Sequence, residues 1–288
     1  VGQPARRTAR RRRLGAELKA LREAAGVSVE SAAQKIHGDN PKISRLENGR
    51  HRVSRLELDA LLDLYGVEDQ GLRDWLVALS AEGRKRSWWR SHGEVLPADF
   101  KELLTLESDA GRIAAFQPQI IPGLLQTKEY ARAVIIGSSE PLTEAEVDFQ
   151  VSFRVERQAV FERENPPQYL CILTEGVIRQ QVGGAKVMAA QLRRLVELSQ
   201  PPELTIQVVP YSQGAFTATG GAFVLYSYPD PLDLDVAQVE YLDGALYLEE
   251  EATVSKYRRA LDGLRTAALS SRQSVELISS VARDFERE

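Results

Sequence analysis

The chain has 288 residues, 43% of them hydrophobic, and a formal net charge of -4, which suits a small domain joined to a medium one, each with its own core. One cysteine and three histidines exclude an internal disulfide framework and any zinc-site spacing, so neither a metal nor another cofactor is expected. The charge is divided: residues 1–93 hold 19 Lys+Arg against 12 Asp+Glu, net +7, and the remainder holds 18 against 29, net -11.

A basic end on an acidic body is what binding of nucleic acid by one end requires. Residues 1–13 form a basic arm with six arginines among residues 6–13, and such a run also suits a solvated, unbound segment. It lacks the apolar run of a secretory signal, and no stretch of eighteen apolar residues follows anywhere, so a cytoplasmic protein with no membrane partner is predicted.

Next, Leu14, Leu18, Leu21 and Ala25 recur at helical spacing and predict a first helix from about Leu14 that stops at Gly26. Ser28 caps a second helix with Val29, Ala32, Ala33 and Ile36 on one face. Asp39 caps a third that turns only Ile43 and Leu46 inward before Gly49. "SRLE", Ser54 to Glu57, is a capping box opening a fourth helix striped by Leu58, Leu61, Leu62 and Tyr65. A fifth, with Leu72, Trp75, Leu76 and Leu79, closes an all-α helix-turn-helix module over residues 14–83. Pro41 falls in the first turn of the third helix, where amides lack intrahelical partners and a fixed proline φ suits the start.

The stretches "LKALREAAGVSVESAAQKI" and "KISRLENGR" resemble the XRE or Cro/C1-type helix-turn-helix of phage repressors and bacterial regulators. The resemblance implies that Arg22 in the first helix pairs with Glu47 at the end of the third, a bidentate bond that would fix the angle of the recognition helix. It implies base reading in the major groove by Asn40, Pro41, Lys42, Ser44 and Arg45. Asn40 suits adenine, Arg45 suits guanine, and Pro41 offers only apolar contact, as with a thymine methyl. It places phosphate contacts at the backbone amides of Ser28 and Val29, at Lys35, and at Asn48, Arg50 and Arg52, with Arg55 near the minor groove. For any one of these basic residues, plain surface solvation is the competing account.

Residues 84–97 read as a linker, with Trp88 and Trp89 packing it onto a second domain over 98–288 or, less simply, stacking on a ligand. Pro122 and Gly123 mark a turn, Tyr130, Ala131 and Val134 suggest a helix, and the segment from Thr143 reads as one long helix. "QYLCILTE", "LTIQVVP", "AFVLYSY" and "VAQVEYL" predict strands, a helix with Val187, Leu192 and Leu195 lies between the first two, and helices over about 251–268 and 274–285 finish the chain. The fold class is therefore α+β: an all-α five-helix module, then a larger mixed domain. Gly183 and Gly184 read as a structural turn, since no Lys-Ser or Lys-Thr follows to make a P-loop. Gly220 and Gly221 read as a hairpin connection, with a mobile loop as the other account.

"IPGLLQTKEYARA", "RQ" at Arg157–Gln158, "TEGVIRQQVGG", "VMAAQLRRL" and "TIQVVP" are similar to the C-terminal region of a large actinomycete regulator family, the antitoxin-like XRE-family proteins. That resemblance implies a second domain that binds a small cognate protein or a signal. The leading expectation is a homodimeric regulator of transcription on a palindromic double-stranded DNA operator. An antitoxin-like protein that sequesters its small partner, with DNA binding mainly autoregulatory, is the second expectation. No Ser-His-Asp or Cys-His set is evident, since His92 is the last histidine and Cys171 lies in an apolar strand, so an enzyme is not expected.

Overall fold

A computed structural model describes residues 9–80, 98–138, 141–217, 220–229, 235–241 and 244–288; for residues 9–12 and 98–102 only the backbone is described. The expectations for Trp88, Trp89 and the linker 84–97 lie outside these residues. The chain divides into two units, the first ending at Thr105 and the second starting at Leu106.

In the first unit α1 (Ala9–Ala24) begins five residues ahead of the expected Leu14, inside the arginine run. Arg13 shows why: its guanidinium lies over the Trp75 ring, 5.0 Å from the centroid, so the run's last member packs instead of trailing in solvent. The helices α2 (Val29–Lys35), α3 (Asn40–Glu47), α4 (Arg55–Leu64) and α5 (Gln70–Ser80) follow. Ser28, Asp39 and Ser54 cap α2, α3 and α4, the last as a full capping box with Glu57. Leu18, Ala32, Ile43, Leu58, Leu62 and Leu76 meet in one core. The two alanines of α2, Ala32 and Ala33, are buried and small enough to let α3 approach.

α6 (Ala98–Asp109) contains the division between units. The second unit is built on a six-stranded sheet in the order β3-β2-β1-β4-β5-β6. The strands are β1 (Arg112–Gln117), β2 (Gln168–Thr174), β3 (Leu204–Val209), β4 (Phe223–Ser227), β5 (Val236–Tyr241) and β6 (Gly244–Leu248). β1, β2 and β3 run parallel, while β4, β5 and β6 continue antiparallel from the other side of β1. Helices α7 (Lys128–Ile136), α8 (Glu144–Arg157), the short α9 (Glu175–Arg179) and α10 (Ala185–Leu198) supply the parallel crossovers. α11 (Glu251–Ala267) covers the face carrying Phe116, Ile172 and Leu225, and α12 (Ser271–Arg287) packs along α10 and β3. Residues alternate along each strand, so Ala115, Tyr169, Cys171 and Tyr226 turn to the opposite face, where they too are buried.

Several expectations change. β1 and β6 were not anticipated. β1 is the central strand, buried on both faces, and so shows no polar alternation. The long helix from Thr143 ends at Arg157 and tightens into a 3-10 turn, Gln158–Glu162. The glycines at 220 and 221 do not join a hairpin: β3 and β4 lie on opposite sides of the β2–β1 pair, so the connection crosses the sheet's end. Gly183 and Gly184 do form a turn, both at positive φ, with a Cβ on Gly183 meeting that of Ala133 at 2.9 Å.

Candidate nucleic-acid interface

The recognition surface depends on how α3 is held. Arg22 donates from Nε to Glu47 Oε1 at 2.5 Å, from Nη2 to Oε2 at 3.1 Å and from Nη1 to the Val27 carbonyl at 3.1 Å. The side chains of this pair are only 10% and 8% exposed. The hydrogen bond to Glu47 raises the Arg22 pKa further, against the opposing effect of burial. Tyr65 packs nearby, its phenol pushed up to about 12 by burial first and by the Glu47 charge second. The pair therefore ties α1 to the end of α3 with both charges matched.

A second contact at the same place was not foreseen. Gly15 of α1 lies so close to α3 that a Cβ there would stand 2.5 Å from the Glu47 carbonyl and 2.6 Å from that of Leu46. A glycine inside a helix costs about 1 kcal/mol relative to alanine, so "RLGAEL" carried a signal that a backbone passes there.

The start of α3 is fixed by Asp39, whose Oδ1 accepts from the Lys42 amide at 2.8 Å, with Pro41 in the first turn. Its end is fixed by Asn48, whose Nδ2 donates to the Ser44 carbonyl at 2.8 Å. Ile43 and Leu46 are buried, so Asn40, Pro41, Ser44 and Arg45 stand exposed on the outer face. Arg45 is 49% exposed and only loosely paired with Asp39, at 3.8 Å. Lys42 differs from these four. It is half-buried and its Nζ donates to Glu57 Oε1 at 2.6 Å, while Glu57 Oε2 accepts from the Ser54 amide at 2.8 Å. One carboxylate thus both caps α4 and restrains a base-reading candidate.

Of the expected phosphate contacts, Ser28, Lys35, Asn48, Arg50, Arg52 and Arg55 are exposed, and Val29 is half-buried at the start of α2. The Ser28 hydroxyl is already engaged as a cap, accepting from the Ser31 amide at 3.0 Å. Arg55 bonds Asp59 at 2.8 Å on the surface, a pair worth little in water and open to exchange for a phosphate. The turn between α2 and α3 rests on His37, at φ 51°, a left-handed conformation that glycine adopts more readily than histidine.

Residues 13–76 match a family model described as a helix-turn-helix domain. Residues 100–280, well over half of the chain, match the domain of unknown function DUF5753. The chain belongs to the DUF5753 family. No curated protein and no solved structure matches it. In this DUF5753 protein no helix among the described residues is long and apolar enough to cross a membrane, and no group of three metal-ligating side chains occurs among them. Cys171 is buried in β2 and its thiol is pushed far up by burial, and Glu175 is occupied by Arg179 and the Tyr211 amide, both at under 3 Å.

Proposed function

We propose that the protein is a sequence-specific transcriptional regulator of XRE type that reads a palindromic operator as a homodimer, with the DUF5753 unit binding a small cognate protein or signal. The observation that carries this reading is the exposed outer face of α3, held at its end by the Arg22–Glu47 fork while Asn40, Ser44 and Arg45 point outward. Two modules are invoked because one buries little DNA surface and half-sites one helical turn apart supply affinity and specificity. In this reading the second unit binds and does not catalyse, in keeping with its buried thiol and occupied Glu175.

Selection of bound duplexes from a random pool by the intact protein tests the reading directly, and a palindrome is expected. Arg45→Ala should then cost about 1–3 kcal/mol on the selected site while binding to random duplex stays nearly the same. Equal losses on both duplexes would make Arg45 a phosphate contact, and a pool with no enriched sequence would remove the operator.

A further inference from the structure

The sheet of the second unit is closed at one edge and not at the other. At β3 the Val208 amide donates to Ser274 Oγ at 3.0 Å and the Val208 carbonyl accepts from the Leu269 amide at 2.9 Å, so the link from α11 and the start of α12 occupy that edge. β6 ends the other side, and no strand among the described residues lies beyond it. Its antiparallel pairing with β5 uses the N–H and C=O groups of alternate residues, and those of the residues between them point outward.

Edge strands are normally guarded by lysine, proline or an inward-pointing charge. β6, "GALYL", has none of these. Apolar surface lies beside it. Val239 and Leu248 pack on the core beneath α11, but Leu246, opposite Val239, is 52% exposed, and Tyr241 on the same face is 53% exposed. A further strand would cover both the outward backbone groups and Leu246.

The charge around the strand selects its occupant. From Glu240 to Glu251 the sequence holds five carboxylates, Glu240, Asp243, Glu249, Glu250 and Glu251, and no lysine or arginine. Arg258 answers Glu251, and Arg154 lies in the field of Glu240. Lys256 and Arg259 are exposed, away from the buried stripe of Val254, Leu261 and Leu264 on α11. Both ends of β6 therefore stay acidic, with Asp243 before it and Glu249 and Glu250 after it. Pairing with a second copy would double that acidity and, centred on Leu246, would set each Glu249 against the other chain's Asp243; like charges directly opposite are destabilising. A basic strand meets no such conflict.

We propose that β6 is the docking edge for a small partner protein, which adds an extended segment there as an antiparallel seventh strand. Alternate residues of that segment are apolar and face Leu246 and Leu248, and lysine or arginine stands among the rest. The proposal rests on the partner-binding reading of the DUF5753 unit for its biological meaning alone. Its test uses no DNA, so its failure would leave the operator reading standing.

The probe is a fluorescein-labelled peptide of about nine residues that alternates valine with lysine, long enough to span an ordinary strand. It is titrated with the intact protein and read by anisotropy. Binding is expected, and none by the counterpart with glutamate in place of lysine. N-methylation separates edge pairing from plain charge attraction, because only alternate residues of an added strand donate to the protein. Methylating all the valines in one peptide and all the lysines in another should abolish binding in one case and preserve it in the other. Leu246→Lys should weaken the unmethylated peptide by about ten-fold, since roughly half of a leucine's burial is at stake. If that variant does not fold, the two methylated peptides decide the matter on the parent. No binding of the valine–lysine peptide, equal binding by the two methylated peptides, or unchanged affinity in folded Leu246→Lys would each overturn the docking edge. A parent dimer that dissociates in Leu246→Lys would assign the edge to a second copy and overturn it as well.

Discussion

Glu47 accepts both arms of the Arg22 guanidinium, so Glu47→Gln leaves a nearly buried cation facing a neutral group. Breaking a buried pair from one side typically costs about 3–5 kcal/mol. With the residual exposure here, a loss of about 3 kcal/mol is expected in urea unfolding, accompanied by weaker operator binding as α3 loses its anchor. A loss under about 1 kcal/mol would show that water already screens the pair. Glu57 acts differently because its main partner is itself a DNA-facing candidate. Burial pushes the Glu57 carboxyl up, but the Lys42 hydrogen bond and those from Ser54 outweigh it, and the net pKa is lowered. A depressed carboxylate contributes stability that is present above its unfolded pKa and lost as pH falls through the folded one, so this contribution should fade below about pH 4. At neutral pH, Glu57→Gln should release Lys42 and tighten binding to random duplex several-fold, which fluorescence anisotropy would read. Unchanged affinity would place Lys42 outside the interface.

At the scale of elements, the contact between α1 and α3 is the one whose alteration is most informative. Gly15→Ala improves helix propensity, yet its Cβ has carbonyl atoms at 2.5 and 2.6 Å, and backbone cannot move aside as a side chain would. The expected outcome is a net loss of about 1–3 kcal/mol with weakened operator binding, and a variant as stable as the parent would mean that α1 and α3 are not so closely seated. Around this contact α2, α3 and α4 were legible from their caps, Ser28, Asp39 and Ser54, and α1 from the spacing of Leu14, Leu18 and Leu21 ahead of Gly26. The strands β2, β3, β4 and β5 were legible from β-branched and aromatic residues between turn signals. β1 was not, because a strand buried on both faces has no alternation, and in "RIAAFQ" only Ile113 and Phe116 are strong β formers. The exposed face of α3 could be read from the spacing of Ile43 and Leu46, whereas the bond from Lys42 to Glu57 joins two helices in space and leaves no local pattern. The ion pair between Arg157 and Glu107 was missed for the same reason, since the two stand fifty residues apart in the sequence.

For the molecule as a whole, the division of charge sets the salt dependence. The acidic remainder, net -11, repels DNA at long range, but that repulsion is screened beyond roughly 8 Å at physiological ionic strength. Phosphate neutralisation by the basic module acts at contact and is not screened in the same way; it appears as counterion release. If Lys35, Arg50, Arg52 and Arg55 each neutralise one phosphate, log K against log salt should slope by about -4 for one module and about -7 for two on one operator. Arg55→Ala should then flatten the two-module slope by about 2, since each copy loses one contact. A slope near -4 on the full palindrome would mean that modules bind one at a time and would remove the homodimer from the proposal. A slope near -7 that falls to about -4 on an isolated half-site would support it on the DNA itself, whichever unit holds the two chains together.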